Sequence, residues 1–222
     1  MPVKVKICGI TNLEDARVAL DAGADALGFM FFAGSPRHIA CAAATEIIRR
    51  LDKPVMRVGV FVNPSADEVR RAVEKAGVDT LQFHGEETPE FIAGLNFRCP
   101  AVADPPMATR PGPRTIKAFR IRDAASLAEL PRFATDFWLL DSFVPGVRGG
   151  TGARFNWELA VEAQKLGRPI ILAGGLTPEN VADAVRTVQP FAVDASSGVE
   201  SSPGRKDHAK LRTFIAAAKG AA

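Results

Sequence analysis

The chain alternates short runs rich in Val, Ile, Leu and Phe with longer stretches whose apolar residues recur at helical spacing. This alternation continues from Val3 to the C-terminus, is typical of βαβ units and predicts a parallel sheet. Eight strands are predicted. They are Val3–Cys8, Ala26–Phe32, Arg57–Phe61, Thr80–Phe83, Thr115–Phe119, Phe137–Asp141, Pro169–Ala173 and Phe191–Asp194.

Helix starts follow most of these strands. The stretches 11–14 and 65–68 match the capping-box pattern, while Thr88-Pro89 and Thr177-Pro178 place proline at the first helical position behind a capping threonine. Eight βα units in 222 residues favour an α/β fold of the closed (β/α)8 TIM-barrel type, with residues 1–222 in a single domain. An open doubly wound sheet would more often have fewer strands and a GxGxxG turn, which is absent.

One segment breaks the pattern. Residues 98–114 contain five prolines, so this stretch is predicted to be neither a helix nor a central strand. We expect a surface insertion between the fourth helix and the fifth strand.

Charge and composition narrow the class of partner. The formal net charge is +3 and the Lys and Arg residues are scattered along the chain, which favours an anionic small molecule over nucleic acid. No apolar stretch reaches membrane-spanning length, and the first predicted strand leaves no room for a signal peptide, so a cytoplasmic location without membrane partners is expected. The three cysteines show no CxxC spacing and the three histidines lie far apart, so neither a metal site nor a disulfide framework is predicted.

The chemistry of such a barrel should lie at the carboxyl ends of its strands. Two glycine-containing loops follow strands seven and eight, where barrels commonly bind phosphate through main-chain N–H groups. The predicted phosphate ligands are Gly174, Gly175, Ser196, Ser197 and Gly198. The alternative is that these glycines only form tight turns.

Cys8 and Asp141 end the first and sixth predicted strands. Cys8 precedes a helix start at Thr11, whose dipole is expected to lower the thiol pKa from about 8.5, so that a thiolate could act as a base. Cysteine is more often a small buried hydrophobic residue, and that interpretation is kept for Cys41 and Cys99. Asp141 has no nearby helix start to cap, which favours a general acid over a local hydrogen bond.

Three further side chains are candidates for a site at the barrel mouth, where the carboxyl ends of the strands meet. Arg37 follows the stiff Ser35-Pro36 turn and could bind a carboxylate, although an exposed arginine is usually only solvated. His84 either lines the pocket or is a polar loop residue that forms its hydrogen bonds with nearby groups. Lys6 shares the strand face of Cys8 and should point into the barrel, where a lone ammonium is costly, so we predict that it pairs with Asp194 or Asp141.

As an ordered set, these motifs resemble the phosphoribosylanthranilate isomerase family of tryptophan biosynthesis. The matching stretches run from the first strand to the last: residues 6–11, 23–29, 35–37, 58–63, 81–87, 139–142, 149–152, 172–176 and 193–200. The resemblance implies an Amadori rearrangement of N-(5′-phosphoribosyl)anthranilate to 1-(2-carboxyphenylamino)-1-deoxy-D-ribulose 5-phosphate. It also implies that no metal or organic cofactor is needed, because the anthranilate nitrogen supplies the electron sink.

The resemblance also implies residue roles. Asp141 would protonate the ribose ring oxygen as general acid, and Cys8 would remove the C2′ proton as general base. Arg37 would bind the anthranilate carboxylate, and the two glycine loops would bind the phosphate. We assign His84 and Asp194 to substrate binding at the same mouth.

The sequence departs from the family pattern in three places: the proline-rich segment is longer, Asn156 stands where Phe-Asp-Trp is usual, and Ala195 replaces a common valine. Two rival functions stay open. One is another phosphosugar isomerase or epimerase barrel, and the other is a barrel that binds a phosphorylated metabolite without turnover. The oligomeric state, monomer or homodimer, is also open.

Overall fold

Eight parallel strands close into a barrel in chain order, β1 to β8, in a computed structural model that describes residues 2–95, 112–142 and 157–221. This confirms the predicted (β/α)8 TIM barrel. The strands are β1 Lys4–Cys8, β2 Ala26–Met30, β3 Met56–Phe61, β4 Thr80–Phe83, β5 Arg114–Ile121, β6 Phe137–Ser142, β7 Ile170–Leu172 and β8 Ala192–Ala195.

Helices cover the outside of the barrel. The α-helices are α1 Leu13–Ala22, α2 Cys41–Ile48, α3 Ala66–Arg71, α4 Pro89–Gly94, α5 Trp157–Gln164, α6 Val181–Val188 and α7 His208–Gly220. A π-helical turn, Ala72–Ala76, continues α3, and a 3₁₀ helix, Ala124–Arg132, follows β5. Between β8 and α7 lie a short 3₁₀ turn, Ser197–Val199, and a hairpin of β9 Glu200–Ser202 and β10 Arg205–Lys206.

The fifth strand is longer than predicted at both ends. Arg114, which was assigned to the proline-rich insertion, lies in β5 instead, and its N–H donates to the carbonyl oxygen of Asp79 at 3.0 Å. Its guanidinium also lies over the ring of Phe137. The ladder to β4 and this ring contact explain the extra residue. The predicted insertion up to residue 111 lies outside the described residues, and the single-domain organisation stays a prediction.

Two of the four predicted helix starts are confirmed. Ser65 and Glu68 form the reciprocal capping box of α3, and Thr88 caps α4 with Pro89 at the first helical position. The other two are wrong.

The first wrong start involves Thr11. Helix α1 begins two residues later, at Leu13, and the side chain of Asn12 accepts the cap bond from the N–H of Asp15 at 2.8 Å. The Thr11 hydroxyl instead donates to the carbonyl oxygen of Gly204. The Thr11 hydroxyl, which the local pattern assigned to the helix cap, is therefore used in a contact with a residue distant in sequence.

The second wrong start involves Thr177. Helix α6 begins at Val181, and the Asn180 side chain ties the preceding turn together by accepting from the N–H of Thr177 and donating to the carbonyl oxygen of Gly175. The chain thus makes a full turn between β7 and its helix before the helix begins.

Alternation along the strands separates two apolar layers. Inward residues fill the barrel, and the outward residues of the strands pack against the helices. The inner cluster consists of Cys8, Ala26, Val58, Val60, Ile116, Ala118, Phe137, Leu139, Ile171, Ala173 and Ala192. None of the helices in the described ranges combines the length and the apolar character that crossing a bilayer requires.

Candidate active site at the barrel mouth

Cys8 and Asp141 face the same barrel interior. Cys8 belongs to the inner cluster, and Asp141 lies two residues beyond Leu139, another member, so its side chain is on the same face of β6. Strands β1 and β6 are separated by β7 and β8 around the barrel. The thiol and the carboxyl group therefore approach one mouth from well-separated strands, where a small ligand could lie between them.

A close contact with β2 positions the sulfur of Cys8. A Cβ atom on Gly28 would lie only 2.8 Å from Sγ, so a larger residue at position 28 would displace the thiol. Strand β2 thus leaves room for Cys8 on the neighbouring strand.

Burial raises the pKa of the Cys8 thiol, because only 6% of the residue is exposed and the thiolate loses its hydration. The charge of Lys6 opposes this shift, Asp194 adds to it, and Lys206 opposes it more weakly. The expectation that a helix dipole lowers this pKa is therefore wrong. Helix α1 begins at Leu13, and the dipole effect fades beyond the first turn.

Lys6 is paired, as predicted from strand alternation. Its Nζ lies 2.8 Å from Oδ1 of Asp194, the residue opposite it in the β1–β8 ladder, and both side chains are buried. Burial lowers the pKa of Lys6, but Asp194 and, to a smaller extent, Cys8 together raise it overall, so the ammonium stays charged. Of the two predicted partners, Asp194 is the one that the structure shows. Its assigned role in substrate binding stays a prediction.

Arg37 is held by a carboxylate that the sequence did not single out. Its Nε and Nη2 atoms donate to the two oxygens of Glu200 at 2.8 and 2.7 Å, a bidentate pair that fixes the plane of the guanidinium. The side chain is about one-fifth exposed, and Nη1 donates to no other residue in the described ranges. The exposed edge of the guanidinium is therefore free for a ligand carboxylate.

A buried lysine continues this network to Cys8. The Nζ atom of Lys206 donates to Glu200 Oε1 at 2.9 Å, to the Cys8 carbonyl oxygen at 2.6 Å and to the Ser196 carbonyl oxygen at 3.3 Å. Glu200 stood in a family-matching stretch, but no sequence signal pointed to Lys206. The β9–β10 hairpin thus ties Arg37 to the end of β1.

His84 contacts the predicted acid. Its Nε2 lies 3.3 Å from Oδ2 of Asp141, and its Nδ1 lies 3.1 Å from Nε2 of the buried Gln82. The Gln82 Oε1 atom has no hydrogen-bond partner among the described residues. Rotation of that amide by half a turn would let Oε1 accept from Nδ1–H, so His84 could share a proton with Asp141 on its other side.

The two predicted phosphate loops lie against each other and reach the surface. Gly174 and Gly175 both adopt positive φ, 83° and 67°, and their N–H groups donate to no other described residue. A Cβ on Gly198 would lie 2.0 Å from the carbonyl oxygen of Leu176, so the loop after β8 touches the loop after β7 at backbone distance. Ser196 and Ser197 are partly exposed beside them. This geometry suits main-chain binding of an anion, and phosphate binding stays a prediction.

A further side chain at this mouth was missed. Arg120 is opposite Asp141 in the β5–β6 ladder and shares the inward face of Ala118, but the predicted strand ended at Phe119. Its side chain is exposed. The two-residue extension of β5 thus brings another cation to the carboxyl edge.

The other cysteines are separate from this site where they are described. Cys41 lies at the start of α2, with its Sγ atom 3.7 Å from the Arg71 carbonyl oxygen, and Cys99 lies outside the described residues. Within the described ranges, no cluster of three or more His, Cys, Asp or Glu residues is arranged to hold a metal ion.

Comparisons with known proteins point to one family. A family model described as N-(5′-phosphoribosyl)anthranilate (PRA) isomerase matches residues 5–217. An N-(5′-phosphoribosyl)anthranilate isomerase from Geobacter sp. strain M21 is 53% identical over 216 residues, which is 97% of this chain and 98% of the relative.

Solved structures point to the same family. The crystal structure of phosphoribosyl anthranilate isomerase from Thermotoga maritima is 39% identical and superposes with a TM-score of 0.85, over 98% of this chain and 99% of that one. A structure of the isomerase in complex with reduced 1-(o-carboxyphenylamino)-1-deoxyribulose 5-phosphate is 38% identical, with a TM-score of 0.81 and the same coverage.

Proposed function

Because the chain belongs to the N-(5′-phosphoribosyl)anthranilate isomerase family, we propose that it isomerises this substrate at the barrel mouth, with Asp141 as general acid and Cys8 as general base. The product is 1-(2-carboxyphenylamino)-1-deoxy-D-ribulose 5-phosphate, an intermediate of tryptophan biosynthesis. The observation that carries the residue roles is the shared inward face of Cys8 and Leu139–Asp141 on well-separated strands. The two groups can then act on one sugar from different sides.

Asp141 opens the sugar ring. The protonated carboxyl group donates its proton to the ring oxygen as the C1′–O bond breaks, and the anthranilate nitrogen lone pair forms the C1′=N double bond of an iminium. Asp141 becomes a carboxylate. The contact with His84 Nε2 orients the carboxyl group.

Cys8 then moves the proton from C2′. The thiolate removes it, the C–H electrons form the C1′=C2′ double bond, and the iminium electrons return to nitrogen, giving an enolamine. The thiol returns that proton to C1′ while the C2′ hydroxyl gives its proton to the Asp141 carboxylate, which yields the aminoketone. Both catalytic groups end in their starting protonation states, so the step needs no cofactor.

The ends of the substrate are held by the flanking groups. The phosphate lies on the N–H groups of the loops around Gly174 and Gly198, and the anthranilate carboxylate binds the free edge of Arg37. We infer a cytoplasmic enzyme that functions as a monomer or homodimer, which sedimentation of the purified chain would resolve.

The experiment that tests this function is turnover of phosphoribosylanthranilate, followed by its fluorescence. Loss of substrate fluorescence with formation of the aminoketone supports the isomerase. Tight binding without product would favour the metabolite-binding barrel, and turnover of a different phosphosugar alone would favour the rival isomerases.

Replacing Arg37 with alanine should raise KM about 10- to 100-fold and leave kcat within a few fold, because a charge-assisted hydrogen bond is worth about 1.5–3 kcal/mol. Steady-state kinetics measure both constants. Arg57→Ala is the matched control, since Arg57 also pairs with an aspartate, Asp79 at 2.8 Å, but at the start of β3, away from the mouth. Equal KM changes in the two variants would exclude Arg37 as the carboxylate ligand.

Replacing Gly198 with alanine should raise KM by roughly tenfold or more, since the new Cβ forces the loop away from the Leu176 carbonyl oxygen and separates the two phosphate loops. Titration with inorganic phosphate as a competitive inhibitor should show a matching rise in its inhibition constant. Gly220→Ala, where nothing lies within 4 Å of the new methyl group, should change neither constant. An unchanged inhibition constant in Gly198→Ala would contradict phosphate binding by this loop.

A further inference from the structure

The proposed base lies in surroundings that disfavour its active form. A thiolate is the nucleophilic and basic form of cysteine, and burial in the barrel disfavours that charge. Helix α1 does not supply the compensation, because it begins five residues along the chain and is capped by Asn12. Something else at the mouth must stabilise the thiolate.

Several charged groups face Cys8. Lys6 lies two residues earlier on the same face of β1, and Asp194 projects from β8. Lys206 reaches in from β10, and Arg37 comes from the loop after β2. Across the mouth, β6 carries Asp141. The neighbouring β2 contributes Gly28, which has no side chain.

The two buried lysines that face Cys8, Lys6 and Lys206, differ in how many of their N–H groups are already used in hydrogen bonds. An ammonium group has three donors. Lys206 uses three on oxygens, namely those of Glu200, Cys8 and Ser196. Lys6 donates to a single described oxygen, Oδ1 of Asp194, which leaves donors for the Cys8 sulfur. The positive charge of Lys6 lowers the pKa of the thiol, which points the same way.

We propose that Lys6 is a positioning residue that stabilises the Cys8 thiolate, and that Asp194 holds the Lys6 ammonium against the sulfur. This rests on the proposed function only in giving the thiolate a task, the removal of the C2′ proton. The opposing effects of the two partners follow from their charges: Lys6 favours the thiolate, whereas Asp194 keeps Lys6 in place and opposes a second negative charge nearby.

The test measures the thiolate without turnover. In a Cys41→Ser/Cys99→Ser background, iodoacetamide alkylates Cys8 when the thiolate sulfur attacks its CH₂ group and iodide leaves, and mass spectrometry identifies the peptide. The midpoint of the alkylation rate against pH should rise by about one unit or more in Lys6→Met, as expected for the loss of a nearby opposite charge. In Lys6→Gln, which removes the charge but keeps a long polar side chain, the midpoint should rise likewise.

Lys117→Met is the matched control. Lys117 is buried and pairs with Glu87 at 3.0 Å, as Lys6 pairs with Asp194, but it lies on the outward face of β5. Its replacement breaks an ion pair of the same kind and should leave the alkylation midpoint of Cys8 unchanged. Circular dichroism compares the folding of the three variants.

A rise in Lys6→Met and Lys6→Gln, with none in Lys117→Met, supports the proposal. No shift in either Lys6 variant, or an equal shift in Lys117→Met, would overturn it. If Lys6→Met does not fold, Lys6→Gln decides. Fluorescence-monitored turnover by the parent chain tests the proposed function separately, so either idea can fail while the other stands.

Discussion

Cys8→Ser lowers kcat at least ~10²-fold, the loss expected when a general acid-base group is removed. A serine hydroxyl fits the space that Gly28 leaves for the thiol, so the substitution changes the chemistry more than the packing. At neutral pH a hydroxyl group is almost never ionised, and the buried mouth disfavours its anion further. Steady-state turnover, followed by substrate fluorescence, measures the change.

The control for this variant is Cys41→Ser on α2, which lies outside the barrel mouth and should keep parental kcat. KM of Cys8→Ser should stay within a few fold of the parent, because Cys8 has no assigned part in holding either end of the substrate. Near-normal kcat in Cys8→Ser would exclude Cys8 as the base.

Asp141→Asn should also lower kcat at least ~10²-fold, because an amide cannot donate a proton to the ring oxygen. The amide keeps the shape of the carboxyl group and can still bond to His84, so the geometry of β6 is retained. We expect the substitution to slow the ring-opening step only. Kinetics on the parent and variant enzymes measure kcat and KM separately.

Asp183→Asn is a suitable control, since Asp183 forms an exposed ion pair with Arg186 on α6 and should not affect turnover. A variant Asp141→Asn that raised KM and preserved kcat would show that Asp141 binds substrate without acting as the acid.

The barrel was predictable because its signal is local. Parallel strands buried on both faces appear as continuous apolar runs, as Phe137–Leu140 does in β6. Thr80–Phe83 was predicted with the bounds that β4 has. The capping box of Ser65 and Glu68 was also predictable, since both of its bonds join residues three apart. Thr11 was misassigned because its hydroxyl bonds to Gly204, 193 residues away, and no local pattern carries that information.

The candidate site was likewise predictable only where its contacts follow from local sequence. Pairing of Lys6 followed from strand alternation and the cost of a buried lone charge, and the ladder to β8 supplied Asp194. The Arg37–Glu200 pair was missed, because the path of the β9–β10 hairpin after β8 has no sequence pattern that sets its direction. The pKa of the Cys8 thiol was predicted in the wrong direction because burial is a tertiary property. Catalytic and binding roles stay predictions that kinetics must test.

The Lys6–Asp194 pair also affects the order of assembly during synthesis. Lys6 emerges from the ribosome 188 residues before the carboxylate that neutralises it. Until β8 emerges and docks, the interior of the nascent barrel contains an ammonium group without its counter-ion, which disfavours closure around the first strand. A product that ends before β8 would leave this ammonium group without its counter-ion in any barrel that closed, which disfavours closure and leaves the chain exposed to proteolysis.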